Sequence, residues 1–105
     1  MRPILPGDLD AGVRLLLTMP PNSQAGRAAE LVCQADMADR WRKRTGRAHP
    51  RWGDGSLLTA ARMVGARAPV WCCDAAYCAA LAILLGSIAA HRAEGRCRSG
   101  RLADR

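Results

Sequence analysis

The sequence predicts an all-α fold: a single small domain of about four helices, in which the second and fourth are the long ones. Three observations lead there. Proline and glycine cut the 105 residues into separate stretches. Within each stretch, apolar side chains recur at steps of three and four, the period of a helix face. No stretch alternates apolar and polar residues as a half-buried strand does. The helical domain is expected to span residues 1–93, with residues 94–105 forming a basic, flexible tail.

Asp8 follows Pro6-Gly7 and is placed to cap a first helix with Leu9, Val13, Leu16 and Leu17 inward. Gly12 weakens that helix slightly, and Pro20-Pro21 ends it, because neither proline has an N–H for a continuing ladder. Asn22 or Ser23 is the expected cap of the second helix, which runs to about Thr45 and stops at Gly46. Its apolar side is Ala28, Leu31, Val32, Ala35 and Ala38. Asp36 precedes Arg40 by four residues and Asp39 precedes Lys43 by four. On a helix surface such pairs contribute roughly 0.3 kcal/mol each. The stretch RAHPRWGDG, residues 47–55, has turn chemistry and no period, so it reads as a loop. Asp54 or Ser56 then caps a short third helix with Leu57, Leu58, Ala61 and Val64 inward, bounded by Gly65 and Pro69. Asp74 caps the fourth, whose apolar positions include Tyr77, Leu81, Leu84, Leu85 and Ile88.

Composition limits what such helices can bury. Half of the residues are hydrophobic, but many are alanine, phenylalanine is absent and tyrosine occurs once. The large apolar volume therefore comes from leucine and from Trp41, Trp52 and Trp71. A small domain with so thin a core gains stability by oligomerising or by docking on a partner. The net charge of +7 is almost all arginine, with Lys43 the single lysine. It is compatible with nucleic acid or an acidic partner, but arginine, alanine and glycine are also what GC-rich coding produces. Only Ile4 and Leu5 precede Pro6-Gly7-Asp8, too short an apolar run for a secretory signal. The five cysteines are odd in number. The expectation is reduced thiols and a cytoplasmic protein, without a disulfide framework.

Four groups of residues are candidates for function. Residues 75–90 carry no charge, and at sixteen residues fall short of a membrane span. They read as a buried central helix or a helix–helix interface, with Ala79, Ala82, Ile83 and Ala90 available for self-association. Arg40, Arg42, Lys43, Arg44, Arg47 and Arg51 form a basic run with Trp41 and Trp52 interleaved, a pattern suited to phosphates with aromatic stacking. The competing account is a helix end whose cations face the negative pole of the dipole and whose tryptophans are core. The loops between helices are too long for a helix-turn-helix, and the start of the last helix offers no Arg, Asn or Gln to read bases. Any DNA contact is therefore expected to be weak and nonspecific. Cys72, Cys73 and Cys78 lack the paired spacing of a metal set and read as small buried hydrophobes. His49, Asp54 and Ser56 share one loop, but two of them already serve as caps. With no paired carboxylates on one helix face and no phosphate loop, neither an enzyme nor a cofactor is expected.

The stretch DMADRWRKRTGRAHPRWGDGSL, from Asp36 to Leu57, together with Asp74, Tyr77 and Cys78, resembles a family of short alphaproteobacterial proteins. Those proteins look like the small terminase of gene transfer agents, which are phage-derived DNA-packaging systems. The resemblance implies a non-catalytic, oligomeric helical adaptor that recruits DNA to a large terminase ATPase. In that family a tail meets the ATPase. No family residue matches position by position here, but the polar, basic tail of this chain, with Arg96, Arg98, Arg101 and Arg105, is free to engage an acidic surface on such a partner. This chain departs from the family pattern in having no room for a separate DNA-binding domain. The alternatives are a small regulatory protein docking on an unrelated enzyme, and a standalone nonspecific nucleic-acid-binding protein.

Overall fold

In the computed structural model, residues 2–64 and 74–94 are described. They form four helices: α1 (Pro6–Leu16), α2 (Pro21–Thr45), α3 (Leu57–Val64) and α4 (Ala75–Glu94). Of the described residues, 76% are helical and none lies in a strand, so the all-α expectation holds. An isolated bridge between His49 and Gly53 is the one extended pairing among them.

α2 is the central element. It lies against α1, α3 and α4, and α1 contacts the other three in turn. Val13, Leu15 and Leu16 of α1, Leu31 and Val32 of α2, Leu57 of α3 and Leu84 of α4 meet in one core. Alanines at 28, 35, 60, 61 and 80 fill the gaps between them. Gly12 sits where α1 crosses α4, and a Cβ there would come within 2.7 Å of Leu84 Cδ2. Its cost to helix propensity is thus offset by a close crossing of the two helices.

The helix starts differ from the sequence reading in two places. α1 begins at Pro6, and Asp8 is its third residue rather than its cap. One carboxylate oxygen of Asp8 accepts from the Leu5 N–H at 2.7 Å, and the other accepts from the Leu58 N–H at 2.9 Å. A single buried side chain therefore satisfies orphan donors at the starts of both α1 and α3. α2 begins at Pro21, with no side-chain cap from Asn22 or Ser23. Proline at the first helical position has a helical φ and no N–H to satisfy, so the cap is dispensable. Ser56 does cap α3, its Oγ accepting from Thr59 N–H at 3.2 Å, and Asp74 caps α4 through Tyr77 N–H at 2.7 Å. Gly46 ends α2 in the left-handed conformation, as expected.

Three further expectations are corrected. Cys33 is buried on α2 and is disulfide-bonded, not a free thiol. The parity of a cysteine count does not determine which pairs the fold brings together. Cys78 is free but exposed, so it is not a core hydrophobe. Cys72, Cys73, Cys97 and Trp71 lie outside the described residues. Lastly, α4 continues through His91 and Arg92 to Glu94, 20 residues in all, with an 18-residue stretch whose mean hydropathy is 1.4. By length and composition alone α4 is apolar enough to cross a membrane. Yet α4 is not a buried central helix: it buries Tyr77, Ala80, Leu84 and Ile88 and exposes most of the rest.

Candidate nucleic-acid interface and self-association face

The basic run separates into two chemically distinct halves. On α2, Asp36 and Asp39 are buried at 2% and 0% exposure, so they are not the surface partners that their spacing suggested. Asp36 accepts from Arg40 Nη2 and from His91 Nε2, each at 3.0 Å. Burial disfavours its ionised form, but nearby positive charge, that of Arg40 included, outweighs burial and holds its pKa below the ordinary value. Asp39 is surrounded in the same way. Lys43 Nζ lies 3.0 Å from one oxygen and Arg42 Nη2 lies 3.1 Å from the other. Burial again opposes ionisation, and the hydrogen bonds from Lys43 and Arg42 overcome it. Arg42 also reaches across to the loop, where its Nε donates to the Asp54 carbonyl at 3.0 Å. Arg40, Arg42 and Lys43 are thus matched to buried carboxylates and brace the fold.

Arg44, Arg47 and Arg51 are exposed and form no ion pair among the described residues. They surround an aromatic stack. The Trp52 ring is buried and lies parallel to His49, with centroids 4.5 Å apart and planes 7° apart. His49 in turn meets Trp41 edge-on at 5.2 Å. The guanidinium of Arg44 lies 5.6 Å from the centre of the Trp41 ring. His49 Nδ1 accepts from the backbone N–H groups of Arg51 and Trp52 at 3.0 and 3.3 Å, so that nitrogen carries no proton. Burial, aided by the charge of Arg51, lowers the pKa of His49 and favours the neutral ring. Trp52 is therefore core, as its size suggested, while Trp41 is half-exposed and borders an open depression of about 470 Å³ lined also by Thr45, Arg47, Ala48 and Pro50.

The loop holding this stack is fixed from beneath. Gly55 has φ +100°, and a Cβ there would lie 2.6 Å from the Cα of Asp39. Asp54 accepts from Ser56 N–H at 3.0 Å and from Thr59 Oγ1 at 2.9 Å. Burial of Asp54 opposes ionisation, but these hydrogen bonds lower its pKa on balance. His49, Asp54 and Ser56 consequently do not form a relay. His49 is bonded to its own loop, and the other two organise the start of α3.

On α4, Ala79, Ala82 and Ala90 are exposed as the helical spacing suggested, but Ile83 is half-buried and packs against the core. Leu85, expected inward, is 45% exposed. A helix wheel cannot place Ile83 and Leu85 on their sides of the boundary without knowing where α1 and α2 lie. Arg96, Arg98, Arg101 and Arg105 lie outside the described residues. The Asp8 bridge and the tryptophan–histidine stack were not anticipated either; the first joins residues 50 positions apart, and the second depends on the turn that brings His49 back on Trp52. No curated protein and no solved structure matches this chain. The profile of one family, described as a domain of unknown function, does match, over residues 2–88, and the chain belongs to that family, DUF7742.

Proposed function

We propose that this protein is a non-catalytic DNA-packaging adaptor of the small-terminase kind, which self-associates and contacts a large terminase ATPase. The observation that carries the reading is α4, uncharged from residue 75 to residue 90 yet mostly exposed. A helix apolar on all sides is normally covered. The face made by Ala79, Ala82, Leu85 and Gly86 has little polar surface to desolvate, and its small side chains let a second helix approach to about 8 Å. Arg44, Arg47 and Arg51, without ion-pair partners among the described residues, support weak DNA contact through phosphates, without base readout. The likeness of the Asp36–Leu57 stretch to small terminases supports the terminase partner.

The test combines mass in solution with capture of a large terminase. The full chain is expected to run as a multimer by light scattering. Ala82→Glu, at an exposed position, is expected to give a folded monomer. A chain ending after Glu94 is expected to keep its helix content and to lose capture of the terminase. A monomeric full chain would remove the self-association reading. Failure of the full chain to bind any large terminase would remove the adaptor reading, leaving a regulator that presents the same α4 face to an unrelated enzyme.

A further inference from the structure

Three features at the carboxyl end of α2 and the loop that follows it converge on one ligand chemistry. The first is a ring with a defined position: Trp41 is half-exposed, and its edge contact with His49, itself stacked on buried Trp52, limits where it can turn. The second is an open depression of about 470 Å³ against that ring, lined also by Thr45. Its Oγ1 donates to the Trp41 carbonyl at 2.8 Å and accepts from Arg47 N–H at 3.2 Å. The third is charge. No acidic side chain lines the depression; Arg47 lines it, the Arg44 guanidinium lies over the Trp41 ring at 5.6 Å from its centre, and neither has a carboxylate partner among the described residues.

The depression lies at the carboxyl end of α2, where the helix dipole disfavours an anion. That pole is equivalent to roughly half a negative charge. The Arg42 carbonyl there already accepts from Gly46 N–H at 2.7 Å, and the Trp41 carbonyl from Thr45. Two full cations within reach outweigh what remains.

We infer that the Trp41 depression binds a nucleotide with its base unstacked, the base lying on the Trp41 ring and the phosphate held by Arg44 and Arg47. A flat ring beside unpaired guanidinium groups matches the two halves of a nucleotide, and a paired, stacked base in a duplex cannot present its face to Trp41. The ligand is supplied either by a single strand or by a free nucleotide. The inference refines the DNA contact proposed above from duplex backbone to unpaired strand. It uses none of the α4 face, so loss of self-association or of terminase capture would leave it standing.

The test uses the full chain and fluorescence anisotropy of a labelled oligothymidine of about twelve nucleotides, against a duplex of equal length at the same ionic strength. The single strand is expected to bind more tightly than the duplex by about tenfold. Trp41→Leu should reduce single-strand affinity by about fivefold to a hundredfold, the range for one lost stack, with little effect on the duplex. Arg47→Gln, at an exposed position that cannot unfold the chain, should weaken single-strand binding and flatten its log–log salt slope by about 0.7. Competition by deoxythymidine monophosphate would assign the site to the free nucleotide, and lack of it to the strand. The inference is overturned if strand and duplex bind equally, if inorganic phosphate competes as well as the monophosphate, or if Arg47→Gln leaves single-strand binding unchanged. Should Trp41→Leu fail to fold, the strand-to-duplex ratio and Arg47→Gln decide the matter.

Discussion

α2 and α4 are the two long helices, and each does the opposite of what its composition suggests. α2 has 25 residues, is rich in charge, and buries nine of them, including Gln24, Asp36 and Asp39. α4 has 20 residues, carries no charge over its first four turns, and buries four. The difference follows from the number of neighbours. Three helices and the 46–56 loop lie against α2, so even its carboxylates are covered and must bring cations with them. α4 touches α1 and α2 but not α3, so much of its apolar surface faces outward. Hydropathy describes what a helix can tolerate; its neighbours decide what it buries.

The sharpest way to break this contrast is at the point where the loop presses on α2. Gly55→Ala places a Cβ 2.6 Å from the Asp39 backbone at a φ of +100°, where neither side can yield cheaply. The expected loss is about 3–5 kcal/mol, combining backbone strain and overpacking, read from urea unfolding. Gly12→Ala is the control. The obstruction there is the far end of the Leu84 side chain, so a loss of about 1 kcal/mol is expected.

The buried and exposed faces of α4 can be separated next. Leu84→Ala should cost about 2–4 kcal/mol, since its side chain is fully buried against α1 and α2. Leu85→Ala, one residue on, should stay within about 0.5 kcal/mol of the parent in the monomer. Equal losses at the two positions would show that α4 is covered on both faces.

A smaller effect tests the buried carboxylates of α2. Asp39→Asn should destabilise by about 1–3 kcal/mol, because Lys43 and Arg42 lose a charged partner but can still reach water. The pKa of Asp39 is lowered on folding, so its contribution is present above the ordinary carboxylate range and is lost as pH falls through the lower, folded value. The gap between the parent and Asp39→Asn should therefore close in acid.

The smallest expected effect is at His49. Its folded pKa lies below the ordinary 6.5, so the unfolded chain takes up a proton first as pH falls. Stability held at pH 7 should decline below about 6.5, and His49→Gln should lack that part of the decline. A melting-temperature gap between the two chains that is unchanged from pH 7 to pH 5 would show that His49 is not held neutral.

Much of the fold could be read from local chemistry. Helix spacing, Gly46, Ser56 and Asp74 act within one or two turns, and each stands where the sequence placed it. The starts of α1 and α2 could not be read so well, since Pro6 and Pro21 compete with the nearby polar residues for the first position. The candidate site was legible as a list of cations and aromatics, but not as a division among them. Arg40 and Lys43 differ from Arg47 and Arg51 through Asp36 and Asp39, which are buried where α4 and the 46–56 loop respectively pack on α2.

By itself, then, the sequence determined that this protein is helical, where three of its four helices are capped or stopped, and which residues could carry charge or stacking. Those properties depend on backbone dihedrals and on neighbours within a few positions, which the order of residues specifies directly. Only the tertiary structure decided that Asp8 serves two helix starts, that Cys33 is disulfide-bonded, that Ile83 packs inward while Leu85 faces out, and that His49 is held between two tryptophans. Each of these depends on which groups meet across a crossing of helices or a turn, and contact at long sequence separation is set by packing the whole core at once.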